Sequence, residues 1–232
     1  MDLKIINVPI EQVYAVLADY RSRYPASKEY PFILESEETF ELLKEAAQFI
    51  PESTSEIIQS SYSIDPSEWF ATRRAEDEMD GFTEDLVLGE LPEELLAEIQ
   101  NVASSDDLSL EQTTYKGRST GSEILIGLVS IEEPWHLPAI LKYGDWNECP
   151  HPSVQCALHR KWQNEYGANI IAVTQDTIEC VVQMPPVDME GSLELAWQHY
   201  WYCRDIVEQG CETVSLLAAA YLSSKFWYFW WD

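Results

Sequence analysis

The sequence predicts an α+β fold in which helices pack on a mixed β-sheet and a terminal aromatic strand lies near the centre of that sheet. Three patterns support this prediction. Short apolar runs such as SEILIGLVSI are typical of strands that are buried on both faces. Segments such as IEQVYAVLADYRSRY repeat their apolar residues at helical spacing. Residues 226–231, FWYFWW, are six consecutive aromatics, as expected for a strand with both faces covered.

The first half of the chain alternates strand and helix signals. LKIINVP and YPFILES predict strands, and amphipathic helical patterns follow each of them. Ser53 and Glu56 have the spacing of a capping box ahead of a short helix. Asp65 precedes Pro66 as an N-cap, which predicts another helix through WFATRRAEDEMD.

The second half has clearer boundaries. SEILIGLVSI predicts a strand, and PWHLPAILKYG predicts a helix that ends at Gly144. HPSVQCALHRKWQNEYG predicts a helix with Gly167 as its C-cap. ANIIAVT and TIECVVQ predict a hairpin, Asp188 predicts the start of the next helix, and ETVSLLAAAYLSS predicts the last one.

The aromatic segment has two interpretations, a surface for a membrane or partner and a strand inside the core. An interfacial anchor is expected to have Lys and Arg close by, and only Lys225 is near. Each buried aromatic removes roughly 150–250 Å² from water, so the core strand is the prediction.

The predicted organisation has two segments. Residues 1–115 form an acidic N-terminal α/β subdomain with a connecting region, and residues 116–232 form a C-terminal domain. The connecting region is acidic and poorly patterned, apart from a short helix predicted in LPEELLAEIQ. The alternative is that the N-terminal half extends the same sheet.

The charge of the chain is unusual. It carries 41 acidic and 14 basic side chains, a formal net charge of −27, and residues 1–115 hold 26 of the acids and 7 of the bases. A field of this sign repels phosphate, so direct binding of nucleic acid or of an anionic membrane is not expected. It attracts a basic protein partner, although the same charge also serves solubility.

Several features predict a cytoplasmic protein. The five cysteines have no disulfide-framework spacing, which is typical of reduced thiols. The first residues lack the layout of a signal peptide, and no apolar run approaches the roughly 18 residues that span a bilayer. No catalytic or cofactor-binding signature was found, so no cofactor is predicted.

Four segments carry a resemblance to a known family: WHLPAILKYGDWNECP, YGANIIAVTQDTIECVVQMPP, YCRDIVEQGCETVSLLAA and WYFWWD. They resemble a bacterial domain family of unknown function with Gly-Trp-Asn-x-Cys-Pro, Tyr-Gly-Ala and Tyr-Cys-Pro-Asp-Ile-Val-x-Gln-Gly elements and a tail ending in Trp-Trp-Asp. YPFIL and WFATRRAED are similar to the upstream part of longer members. The chain departs from the pattern at Asp145, where the family commonly has Gly, and at Arg204, where it commonly has Pro. The resemblance implies a fold and no activity.

A candidate pocket is predicted from two of these segments. Cysteines, a carboxylate and amides near helix and strand ends could line a small-molecule site. His199 precedes Cys203 by one helical turn and could act as its base. The structural alternative is that Asp205 and Gln209 bind backbone groups while Cys203 packs as a small apolar side chain. The candidate residues are Asn147, Cys149, Tyr202, Cys203, Asp205 and Gln209.

A second cluster contains metal-ligand residue types. Cys149, His151, Cys156 and His159 lie within eleven positions, but their spacing is not a standard zinc pattern. No metal is therefore predicted, and the expected arrangement is a buried Cys156 and a surface His159.

The acidic segment EDEMDGFTED is a candidate for partner binding. Glu76, Glu78, Asp80 and Glu84 are its candidate residues. It imitates the start of a calcium loop, but Val87 stands where a bidentate Glu is required, so an EF-hand is rejected. The adjacent arginines at positions 73 and 74 could bind an anion or pair with these acids, and pairing is the prediction.

The predicted function is a non-catalytic cytosolic protein-binding module. One specific form is an acidic immunity-type inhibitor that masks a basic toxin such as a nuclease. The alternative is an uncharacterised enzyme or small-molecule-binding domain with a pocket around Cys149, Cys203 and Asp205.

Overall fold

The computed structural model describes residues 3–79, 81, 84–91, 122–222 and 224–232. Its six strands form one mixed sheet with the order β1-β3-β2-β4-β5-β6. The predicted α+β class is confirmed. The strands are β1 Lys4–Pro9, β2 Glu29–Glu35, β3 Glu123–Ser130, β4 Asn169–Val173, β5 Thr177–Val181 and β6 Phe226–Trp230.

The sheet joins strands from both predicted segments. β3 lies between β1 and β2 and is antiparallel to each of them. β2 then pairs with β4 in parallel through Ile33 and Ala172, and β4, β5 and β6 continue as antiparallel neighbours. The helix predicted in LPEELLAEIQ and most of the connecting region lie outside the described residues.

Helices connect and cover these strands. Among the described residues, three 3₁₀ turns span Ile10–Gln12, Ala47–Phe49 and Pro134–His136, and a π-helical turn spans Ile206–Cys211. The nine α-helices in the described part of the chain are α1 Val13–Ser27, α2 Glu37–Ala46, α3 Thr54–Ser61, α4 Pro66–Met79, α5 Asp85–Leu88, α6 Leu137–Leu141, α7 Pro152–Tyr166, α8 Met189–Tyr202 and α9 Val214–Tyr221.

Local signals define several helix ends. The capping box of Ser53 and Glu56 forms at the start of α3, and Gly167 ends α7 in the left-handed conformation. The predicted end of α6 at Gly144 is wrong, because Lys142 already adopts the left-handed conformation after Leu141. Gly144 instead makes the next turn, with φ of 121° and no room for a Cβ beside the Pro150 carbonyl.

The core has two sides because alternate residues of a strand point to opposite faces. On one face, α1 packs through Val13 and Leu17 against Ile33 of β2 and its neighbours in β3. On the other face, α7, α8 and α9 bury the larger cluster, which includes Phe32 and Trp162. In the described part of the chain, no helix combines the length and apolarity needed to cross a membrane.

The aromatic segment is a core strand, as predicted, but its predicted central position is wrong. Trp227, Phe229 and Trp231 are at most 1% exposed and pack in the larger cluster, while the alternate aromatics are half-buried. β6 is the last strand in the order, so it lies at the edge of the described sheet. The turn Ile206–Cys211 contacts this strand. β6 is apolar on both faces although it lies at an edge, because this turn covers part of it.

Candidate functional site

A tight turn over residues 144–150 begins the candidate site. The Asp145 backbone N–H donates to the carbonyls of Cys149 and Pro150 at 3.1 and 3.3 Å, and the Cys149 N–H donates to the Trp146 carbonyl at 2.9 Å. Asp145 and Asn147 have φ of 66° and 48°. This left-handed region favours glycine and tolerates Asn and Asp, so the turn exposes polar side chains in a fixed geometry.

Three of the six predicted pocket residues bind the backbone of residues 230–232, and a fourth, Gln209, binds the side chain of one of them. Asn147 Nδ2 donates to the Asp232 carbonyl at 2.7 Å, and Asp205 Oδ2 accepts from the Asp232 N–H at 3.0 Å. Gln209 Nε2 donates a hydrogen bond to the other carboxylate oxygen, Asp205 Oδ1, at 2.8 Å. Cys203 Sγ donates to the Trp230 carbonyl at 2.9 Å. These residues therefore anchor the end of the aromatic segment. Asp205 binds a backbone group, as the structural alternative predicts, whereas Gln209 binds the Asp205 side chain instead.

Tyr202 belongs to a buried chain of polar groups rather than to an open pocket. Its hydroxyl donates to Gln155 Oε1 and lies 3.1 Å from His159 Nε2. Gln155 Nε2 donates to Cys149 Sγ at 3.1 Å. The expected surface position of His159 is wrong, because the residue is 2% exposed. α7 is covered by the sheet, by α8 and by α3, so side chains beyond its apolar stripe are also buried.

His199 lies in a cage of aromatic rings. Its ring centroid is 4.6 Å from those of Trp162 and Trp227, 4.8 Å from that of Phe229 and 4.9 Å from that of Tyr221. Neither ring nitrogen has a hydrogen-bond partner among the described residues. Burial, with a smaller contribution from a neighbouring histidine, holds the pKa of His199 well below its ordinary value. The imidazole is therefore neutral, and its nitrogens are not bonded to the Cys203 thiol.

The cysteines of the candidate pocket are protonated. Burial raises the pKa of the Cys203 thiol to about 12 and that of Cys149 well above its ordinary value. The thiolate is the nucleophile in cysteine chemistry, and burial in apolar surroundings disfavours it. The arrangement does not activate either sulfur for catalysis.

We expect the buried thiols to be inert in the native protein. Iodoacetamide at pH 7.5 should alkylate Cys149 and Cys203 at least about 100-fold more slowly than in urea, because the thiolate fraction is small and access is blocked. Peptide mass spectrometry over time measures each site, and the half-buried Cys211 is the internal comparison. Rapid, selective labelling of Cys149 or Cys203 would contradict this assignment.

The four residues with metal-ligand side chains contact different parts of the structure. His151 Nδ1 accepts from the Ser153 N–H at the start of α7, and Cys156 packs with Ile50 and its neighbours beside α3. His159 and Cys149 lie at opposite ends of the Tyr202 chain. Within the described ranges, no three His, Cys, Asp or Glu side chains converge on one point.

An open cleft of about 330 Å³ lies between α4 and the turn at residues 144–150. Residues from two predicted sites line this cleft, because Glu76 of the acidic segment faces the same space as Asn147 and Cys149 of the candidate pocket. Tyr202, Cys203, Asp205 and Gln209 do not line it. Trp69 and Arg73 of α4 also line the cleft, together with the side chains of Thr72, Asp145, Glu148, Pro150, His151 and Val154.

Comparison with known proteins finds a family match in the second half of the chain. Residues 125–232 match a family model described as a domain of unknown function, DUF4253. A DUF4253 domain spans these residues. No curated protein and no solved structure matches the chain.

The DUF4253 match agrees with the predicted resemblance to a family of unknown function. It begins within β3 and covers β4 to β6 and the whole of the turn at residues 144–150. α4 precedes the matched residues, so the open cleft has one wall inside the DUF4253 domain and one wall outside it. The motif identities, the bacterial source and the resemblance upstream of residue 125 stay predictions.

The acidic segment is held by the two arginines, as predicted. Arg73 pairs with Glu76 at 3.4 Å, and Arg74 pairs with Glu78 at 3.2 Å and with Glu84 at 2.9 Å. Asp80 lies outside the described residues. Three of the four predicted partner-binding acids are therefore in local ion pairs.

Two ion pairs between α4 and the DUF4253 domain were not predicted. Arg73 also binds Glu148 at 2.7 Å, and Arg204 binds Asp77, whose side chain is 6% exposed. Arg204 lies 5.5 Å from the centre of the Tyr200 ring, which adds a cation–π contact. Asp77 follows Glu76 in an acidic run, so no local pattern in the sequence distinguishes it from the surface acids around it.

Proposed function

We propose that the chain is a non-catalytic protein-binding module of the cytosol that recognises a basic partner through its N-terminal helices. The observation that carries this proposal is the uncompensated acidity of α2 to α4. Residues 37–79 contain eleven acids and three bases, and all three bases are in ion pairs. Glu37, Glu38, Glu45 and Glu68 are exposed and make no ion pair within the described residues. Such a surface attracts a basic protein and accelerates its association.

Two further observations support this proposal. All five cysteines are free thiols, which suits a reducing compartment. The raised pKa values of Cys149 and Cys203 and the caged position of His199 disfavour cysteine catalysis. An immunity-type inhibitor of a basic toxin is one specific form of this function, since binding alone would block such an enzyme.

The test is affinity capture from a lysate of the source cell at 50 and 300 mM salt, with quantitative mass spectrometry. The wild-type chain should recover a stoichiometric basic protein, and recovery should fall at least about fivefold at the higher salt because charge attraction is screened. The variant Glu37→Gln, Glu45→Gln, Glu68→Gln should recover less of it. The matched control, Glu190→Gln, Glu194→Gln, Glu212→Gln, removes equal charge elsewhere and should recover it normally. Absence of a basic partner would refute the proposal.

A small-molecule-binding role is the second candidate, and the open cleft between α4 and the DUF4253 domain favours it. Glu76, Glu148 and Asp145 give its wall more negative than positive charge, and Trp69 supplies an aromatic face. A small cationic ligand suits that combination. Raised thermal unfolding temperatures with free amines or guanidines, lost in Glu76→Gln, would support it, and unchanged temperatures would count against it.

A further inference from the structure

Helix α2 and the 3₁₀ turn that follows it present a solvent-facing stripe in which acidic and apolar residues alternate. The α2 stripe consists of Glu38, Leu42, Glu45 and Phe49, separated by four, three and four positions. Glu38, Leu42 and Glu45 belong to α2, where residues at these separations lie on one face, and Phe49 is the last residue of the 3₁₀ turn after it. Phe49 is 84% exposed and Leu42 is 40% exposed, while the opposite face buries Leu43. Exposed apolar side chains that alternate with acids match the pattern of a basic amphipathic helix, in which apolar residues and cations recur at the same spacing.

The charges of the α2 stripe are available to a partner. Lys44, the one basic residue of the helix, pairs with Glu41 at 2.8 Å and lies 5.1 Å from the Phe40 ring centre. Its charge is therefore held on a neighbouring face. Glu38 and Glu45 make no ion pair within the part of the chain that the structure describes.

We propose that the α2 stripe is the docking surface for an amphipathic helix of the basic partner. Its two acids are seven positions apart, and so are its two apolar residues, which is the spacing of a heptad repeat in a partner helix. A helix with Lys or Arg and Leu-like residues at the same spacing places a cation on each acid and an apolar group between them. This inference rests on the proposed function and adds its surface and the chemistry of its partner.

A second copy of the chain does not fit this surface. In a two-fold contact through α2, the acids would face acids if the two helices are parallel and apolar side chains if they are antiparallel, so no acid would meet a cation. Each copy carries a net charge of −27, which adds repulsion over the whole approach. The complementary charge belongs to a different, basic molecule.

The test uses a defined probe, a synthetic peptide with Leu and Lys at heptad spacing, and a scrambled peptide of the same composition. Titration into the isotopically labelled chain, followed by nuclear magnetic resonance, should shift the amides of residues 38–49. Leu42→Ser with Phe49→Ser should raise the dissociation constant of the peptide at least about tenfold. Glu38→Gln with Glu45→Gln should raise the dissociation constant at 50 mM salt and have a smaller effect at 300 mM. The scrambled peptide should bind at least about fivefold more weakly.

The matched control is Val187→Ser with Glu190→Gln, because Val187 is 92% exposed and the nearby acid is also exposed. It should leave the dissociation constant within about twofold. All of these side chains are exposed, so every variant should unfold at the wild-type temperature. Equal binding by the stripe variants or by the scrambled peptide, or shifts confined to other residues, would overturn the α2 docking surface.

Capture from the lysate separates this inference from the proposed function. With p-benzoylphenylalanine in place of Phe49, ultraviolet crosslinking should join residue 49 to a Lys- or Arg-containing peptide of the recovered partner. A basic partner that crosslinks elsewhere, or still binds Leu42→Ser with Phe49→Ser, overturns the surface and leaves the proposed function standing. A crosslink to a second copy or within the chain overturns the assigned occupant. Recovery of no basic partner overturns both.

Discussion

Arg204→Met is expected to lower the free energy of unfolding by about 3 kcal/mol at pH 7, the lower end of the range for breaking a buried pair. The substitution removes the guanidinium that binds Asp77, and the Asp77 side chain is 6% exposed. One oxygen of Asp77 already has no partner among the described residues, so the carboxylate would be left without compensation. Urea denaturation, with the change taken from the midpoint at constant slope, measures the effect.

Two comparisons make this prediction specific. Adding Asp77→Leu to Arg204→Met should restore most of the stability, because apolar replacement of both partners removes the buried charge. Arg23→Met removes the partner of Asp19 from an ion pair whose side chains are 53% and 62% exposed, and it should change the free energy of unfolding by less than about 1 kcal/mol. An effect below about 1 kcal/mol at pH 7 would show that the pair does not fix α4 on the DUF4253 domain.

The chain is also expected to lose stability as the pH falls below about 6.5, through two buried histidines. Burial lowers the pKa of His159 to about 3 and holds that of His199 well below its ordinary value. Below 6.5 the unfolded chain binds protons that the folded chain cannot bind, so the free energy of unfolding decreases with decreasing pH. Each histidine contributes about 1.4 kcal/mol per pH unit until its folded pKa is reached.

His199→Phe should remove one of these two contributions. Phenylalanine fits a cage formed by Trp162, Tyr221, Trp227 and Phe229 and has no nitrogen to leave unpaired. The variant should be at least as stable as the wild type at pH 7, and its free energy of unfolding should fall less steeply between pH 6.5 and 5. His151→Asn is the control, because His151 is partly exposed and Asn can still cap α7. Parallel pH profiles for wild type and His199→Phe would refute the buried neutral imidazole.

Local signals predicted the elements of this fold well and their positions less well. The capping box at Ser53 and the C-cap at Gly167 depend on a few neighbouring residues, and both formed where predicted. The burial of His159 was missed because helical periodicity identifies one apolar face, whereas α7 is covered on several sides. The pairing of Asp77 with Arg204 was missed because the two residues are 127 positions apart.

The candidate site shows the same limit. The residue types around Asn147, Cys203 and Asp205 predicted a pocket, because the local sequence does not show which other part of the chain fills the space between them. In the folded chain that space holds the backbone of residues 230–232. The cleft beside Glu76 and Asn147 required α4 to meet a turn about seventy residues later in the chain.

The sequence by itself determined the class of the fold, the burial of the aromatic segment and the excess of acidic charge, because apolar periodicity and ionisable groups are properties of the residues. The tertiary structure decided that β6 lies at the edge, that His199 is caged and that Leu42 and Phe49 face solvent between free acids. These outcomes depend on which elements cover one another. Such covering results from contacts between residues far apart in the chain, which no local spacing encodes.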